Sequence, residues 1–158
     1  MEALARKVGE RLKAARAKLV TAESCTGGWA AQVVTSVAGS SAWFERGFVT
    51  YSNEAKHELL GVQESTLRAH GAVSEETARE MAQGALSRGK GTLALAVTGV
   101  AGPGGGTPDK PVGMVCFAWA SERSVSSETR QFTGDRESVR RQSVVRALEG
   151  VLQHLERG

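Results

Sequence analysis

Thr21-Ala22-Glu23-Ser24-Cys25-Thr26-Gly27-Gly28-Trp29 is the stretch on which the fold turns. An apolar lead-in (Leu19, Val20) runs into hydroxyls, a thiol and two glycines, and a helical pattern follows through Trp29, Ala30, Val33, Val34 and Val37. A strand that ends in small polar residues at a helix start is a common ligand position in α/β proteins, because the first N–H groups of the helix are unpaired and carry positive partial charge. Gly27 and Gly28 let a ligand approach the backbone closely. The plainer reading makes Ser24 or Thr26 an N-cap and the glycines a turn.

Outward from this stretch, helices alternate with strands. An amphipathic helix is predicted over 2–17, a strand over 18–23, a helix over 27–38 and a strand over 44–51. Asn53 reads as the N-cap of a helix ending at Gly61, and Ser74 opens another. Residues 92–98 form a nearly continuous apolar strand of the kind buried on both faces. Strands near 112–120 and 126–133 follow, and then a helix over 135–156. This order predicts a three-layer α/β/α sandwich on a mixed, mostly parallel sheet, in one domain over residues 1–158.

Composition narrows the function. The net charge is +3, but residues 1–18 carry six Lys/Arg against two Glu, so the remaining 140 residues sum to −1. A basic first helix of this kind is a solvated face rather than a nucleic-acid footprint, and 5% aromatic content offers few base-stacking platforms. No apolar run is long enough for a bilayer, and the first residues show no signal-peptide core, so the expected location is cytoplasmic with no membrane partner. Cys25 and Cys116 suit a reducing compartment. His57, His70 and His154 are far apart, and Asp109 and Asp135 are the only aspartates. Those spacings match no zinc, two-metal or calcium site, so any catalysis is expected without metal, cofactor or histidine base.

Three further segments bear on chemistry. In Thr50-Tyr51-Ser52-Asn53-Glu54-Ala55-Lys56, the only tyrosine ends a strand and Lys56 falls in the first helical turn. A cation there opposes the helix dipole, which favours the neutral amine and lowers its pKa, as a lysine base requires. The alternative is a lysine that snorkels to water and pairs with Glu23 or Glu54. Thr98-Gly99-Val100-Ala101-Gly102-Pro103-Gly104-Gly105-Gly106-Thr107 is half glycine and would turn N–H groups toward an anion, or act as a lid or simple connection. It lacks the spacing of a Walker loop or a dinucleotide fingerprint. Arg136 and Arg140 share a helix face and would clamp a phosphate or carboxylate.

Seven segments together resemble the C-terminal domain of the CinA (competence/damage-inducible) family in its stand-alone form. They are Thr21–Gly28, Gly39–Gly47, Val49–Lys56, His70–Ser74, Gly99–Pro103, Lys110–Gly113 and Gly134–Arg136. The resemblance implies metal-free hydrolysis of nicotinamide mononucleotide to nicotinate mononucleotide and ammonia, a step of pyridine-nucleotide salvage. It lacks the N-terminal pyrophosphatase domain of longer members, so that activity is not expected. Carried onto this sequence, it makes Ser24 the nucleophile and Lys56 its base, with Tyr51 relaying a proton or packing on the ring. N–H groups around Cys25, Thr26, Gly27 and Gly28 would form the oxyanion hole. Thr98, Gly99 and Gly102 would border the ligand, and Arg140 would meet the phosphate. Cys25 is the rival nucleophile, since a thiol at a helix start is activated there. The expected partner is the small-molecule nucleotide, with a homodimer as the one protein association entertained. Competing readings are a non-catalytic nucleotide-binding module, an amidase for another small amide, and a nucleic-acid-associated protein.

Overall fold

A computed structural model describes residues 1–157. Its elements run α1 (Glu2–Ala14), β1 (Leu19–Glu23), α2 (Trp29–Thr35), a 3-10 turn (Ser40–Ala42), β2 (Phe44–Val49), α3 (Asn53–Leu60) and α4 (Glu64–His70). They continue with α5 (Glu75–Gly89), β3 (Leu93–Gly99), β4 (Met114–Ser121), β5 (Val125–Gln131) and α6 (Arg136–Arg157). The sheet order is β2-β1-β3-β4-β5. β1 pairs in parallel with both β2 and β3, whereas β3–β4 and β4–β5 are antiparallel. Only β4 therefore opposes the common direction, and the sheet is mixed and mostly parallel, as anticipated.

The alternation along β3 builds the layers. Leu93, Leu95 and Val97 join a cluster with α1, α2 and α6, while Ala94 and Ala96 face α5 on the other side. Bulky residues on one face and alanines on the other set how closely each helix layer approaches. Gly84 extends this on α5: a Cβ there would lie 1.8 Å from the Leu60 carbonyl oxygen, so only glycine admits the end of α3. That contact matters because α3 carries Lys56.

Several boundaries differ from the sequence reading. α2 starts at Trp29, because Gly27 (φ 61) and Gly28 (φ 101) occupy the left-handed region and form a turn before it. Ser52, not Asn53, caps α3: its Oγ accepts from the Ala55 N–H at 3.0 Å. Ser74 caps α5 as anticipated, accepting from the Thr77 N–H at 3.1 Å. α4 was not anticipated; its seven residues bury none fully and give no clear apolar period.

The crossover through α2 covers one face of the sheet, and that through α3–α5 covers the other. The chain thus diverges at the C-terminal ends of β1, β2 and β3, where open α/β sheets form their ligand crevices.

Candidate active site

Those strand ends deliver Ser24 after β1, Thr50 and Tyr51 after β2, and Thr98 and Gly99 from β3. All but Thr50 line a cleft of about 160 Å³, together with Cys25, Lys56, Ala72, Val73, Ala101 and Arg136. Lys56 reaches in from α3 and is 1% exposed. Its Nζ lies 3.1 Å from Ser24 Oγ, 3.1 Å from the Thr50 carbonyl oxygen and 3.3 Å from that of Tyr51. Burial drives its pKa down to about 8, with the neighbouring Cys25 acting in the opposite sense.

This arrangement suits a base. A charged lysine has three N–H donors and finds three acceptors here. Once the proton is lost, the Thr50 and Tyr51 carbonyls still hold two N–H groups, and the lone pair faces Ser24 Oγ. The lysine that snorkels to a carboxylate is thereby overturned. Lys56 is the largest of the side chains that are almost wholly buried, and it makes no ion pair among the described residues. Burial is the leading cause of its lowered pKa.

Glu23 is occupied elsewhere. Fully buried, its carboxylate accepts from Thr26 Oγ1, from the Ala30 N–H at 2.8 Å and from the Ala31 N–H at 3.1 Å. It is the cap of α2, supplied from the preceding strand, so neither Ser24 nor Thr26 caps that helix. The carboxylate fills the anion position that the sequence left open for a ligand.

The free donors lie in the turn itself. Gly27 N–H is bonded to the Ser24 carbonyl at 3.0 Å. Among the described residues, the N–H groups of Cys25, Thr26 and Gly28 have no protein acceptor. Arg140 holds this turn from behind, donating from Nε to the Cys25 carbonyl at 3.0 Å and from an Nη to that of Thr26 at 3.1 Å. In a trans peptide the C=O and the following N–H point oppositely, so fixing the Cys25 carbonyl fixes the Thr26 N–H as well.

Arg136 lines the cleft where Arg140 does not. One Nη donates to the Gly102 carbonyl at 2.8 Å and the other reaches Tyr51 Oη at 3.3 Å. Gly102 and Thr26 thus support the cleft without lining it, and Gly27 and Gly28 shape the turn. The Tyr51 side chain is 63% exposed, at the rim rather than the floor. Thr98 is buried and donates to the Ala72 carbonyl at 2.9 Å. The glycine-rich segment returns Lys110 onto the same piece of chain, where Nζ donates to the Val73 carbonyl and, at 3.2 Å, to that of His70. Its role in the fold is to prop Ala72 and Val73 against the cleft. Among the described residues, no group of three or more His, Cys, Asp or Glu is placed to hold a metal ion.

Residues 1–155 match the family model described as the CinA C-terminal domain. The chain belongs to the CinA C-terminal domain family. Within the family it is similar to the nicotinamide-nucleotide amidohydrolase PncC of Escherichia coli K12, at 55% identity over 151 residues, covering 95% of this chain and 92% of that one. PncC of Pseudomonas putida is 54% identical over 150 residues, 95% of this chain and 94% of that one. Among solved CinA structures, the competence/damage-inducible protein CihA from Agrobacterium tumefaciens superposes with a TM-score of 0.93 at 46% identity, covering 98% of this chain and 94% of the other.

Proposed function

We propose that the protein is a nicotinamide-nucleotide amidase, which hydrolyses the carboxamide of nicotinamide mononucleotide to give nicotinate mononucleotide and ammonia in pyridine-nucleotide salvage. Relatives named for this activity align over nearly their whole length and nearly all of this chain. The observation that carries the mechanism is the buried Lys56 amine, directed at Ser24 by two carbonyls and pushed toward neutrality near physiological pH.

In this reading Ser24 Oγ attacks the amide carbon as Lys56 takes its proton. The oxyanion meets unbonded N–H groups of the turn, that of Cys25 in the cleft lining first among them, and Arg140 holds the turn in place without touching substrate. The Lys56 ammonium then returns the proton to the departing nitrogen, releasing ammonia and leaving an ester on Ser24. Neutral Lys56 next takes a proton from water as it attacks that ester, and the resulting ammonium hands the proton to Ser24 Oγ as the carboxylic acid leaves, restoring both groups.

The cleft is smaller than the roughly 300–1,000 Å³ usual for a whole ligand. It suits the pyridine ring and carboxamide, with ribose and phosphate extending over the rim. There Arg136 has guanidinium donors to spare and Tyr51 offers a ring face, which moves the phosphate role from Arg140 to Arg136. Thr98 and Gly99 border the ring. Both cysteines are buried and unpaired, which accords with a cytoplasmic setting.

Ammonia release from nicotinamide mononucleotide in EDTA, beside Ser24→Ala and Lys56→Ala, tests the assignment. Activity in the wild type alone is expected, and silence from a folded wild type would overturn it.

A further inference from the structure

The opposite end of the sheet holds a larger concavity, of about 830 Å³, within the range typical of small-molecule sites. It opens where β3 begins, between the end of α1, the β4–β5 turn and the last turn of α6. Eleven of the chain's fourteen arginines make an ion pair or a side-chain hydrogen bond. Among the described residues, Arg16, Arg123 and Arg157 make neither, and all three line this one concavity.

Arg16 adds a second, independent observation. It stands at φ 55, one of only two non-glycine residues with positive φ among those described. It follows the C-cap of α1, where a helix ordinarily places glycine because a side chain is strained there. Lys90 takes the same left-handed conformation at the end of α5, but Arg16 lies in the lining of this concavity. The same lining holds Ser121 and Ser124, whose hydroxyls lie 3.0 and 3.4 Å from His154 Nε2. Leu93 and Leu155 supply apolar wall, and Glu122 is the one carboxylate in the lining.

We propose that this concavity binds a phosphate monoester carried on an apolar ring, the chemistry of a nucleoside monophosphate. Guanidinium groups engage phosphate oxygens in pairs, hydroxyls complete the shell, and the leucine wall takes the ring. The site stands apart from the catalytic cleft and does not depend on how that cleft is read.

Isothermal titration of the full chain with adenosine monophosphate tests this, with adenosine as the uncharged control. The wild type is expected to bind one equivalent, and adenosine to bind at least about tenfold more weakly. Arg16→Gln and Arg123→Gln should each weaken binding severalfold, and the triple variant R16Q/R123Q/R157Q should abolish it. Because these side chains make no hydrogen bond or ion pair among the described residues and lie away from the catalytic cleft, thermal midpoints and ammonia release should stay close to the wild-type level. Arg136→Gln should leave the titration unchanged. Absence of binding to the wild type, equal binding of adenosine, or full affinity in the triple variant would overturn the proposal. So would loss of binding in Arg136→Gln, which would assign the ligand to the catalytic cleft.

Discussion

Lys56 Nζ stands 3.1 Å from Ser24 Oγ with the Thr50 and Tyr51 carbonyls holding its other hydrogens, and burial brings its pKa to about 8. Only the neutral amine takes the seryl proton, so activity should rise with pH and level off above that value. A kcat/KM profile governed by one ionisation near pH 8 is the expected result. Lys56→Arg, whose side chain stays protonated, should lose about a thousandfold or more at every pH. A profile flat from pH 6 to 9 would remove Lys56 from the base role.

The same burial has a stability consequence. The folded pKa of about 8 lies below the 10.5 of the unfolded chain, so the unfolded state binds more protons between these values. Wild-type stability should therefore climb relative to Lys56→Met as pH rises through that window, by about 3 kcal/mol in all. Below pH 8 the full penalty is present, partly offset because methionine takes the Nζ donor from the Thr50 carbonyl and leaves that of Tyr51 only Ser24 Oγ, at 3.4 Å. Urea denaturation of both proteins at several pH values reads the difference.

The sheet and its mixed direction were legible in local pattern, whereas the pairing of Ser24 with Lys56, 32 residues apart, came from the resemblance to the CinA family and not from the residues alone. What escaped was assembled across distance. Glu23 caps a helix whose N–H groups lie seven and eight residues ahead, beyond any local capping pattern. Arg140 meets carbonyls more than a hundred residues away, so its position on α6 suggested a ligand rather than a brace. Ser52 and Asn53 are both good caps, and only the backbone decides between them. The glycine-rich segment read as an anion cradle, a lid or a plain connection, and nothing local announced that it leads Lys110 to carbonyls forty and thirty-seven residues back.

The two arginines of α6 should separate kinetically. Arg136→Gln removes a rim cation and should raise KM for the nucleotide about tenfold or more, with kcat little changed. On free nicotinamide, which has no phosphate, the same variant should behave as wild type. Arg140→Gln releases the Cys25–Thr26 turn and should lower kcat on both substrates. Steady-state kinetics on the pair of amides distinguishes positioning from binding.

Cys25 should be inert despite standing next to the nucleophile. It is 6% exposed, and burial pushes its thiol up to about 12, so it stays protonated at neutral pH. Iodoacetamide at pH 8 should label the native protein far more slowly than the urea-unfolded chain, as read by mass spectrometry. Cys25→Ala should keep activity within a few-fold. Loss of turnover in a folded Cys25→Ala would reinstate the thiol as nucleophile.

Glu23 tests whether the catalytic turn depends on a buried carboxylate that never meets substrate. Its three donors come from Thr26 within the turn and from Ala30 and Ala31 at the start of α2. Glu23→Ala strands all three and should cost about 3 kcal/mol or more. Glu23→Gln keeps the shape but presents an NH₂ group to donors that need an acceptor, so it should be only partly rescued. Because the turn carries both Ser24 and the oxyanion donors, kcat should fall in Glu23→Gln while KM stays close to wild type. Hydrogen exchange should show the Ala30 and Ala31 amides losing protection in the same variant. Unchanged protection with lost activity would instead give Glu23 a direct part in the chemistry.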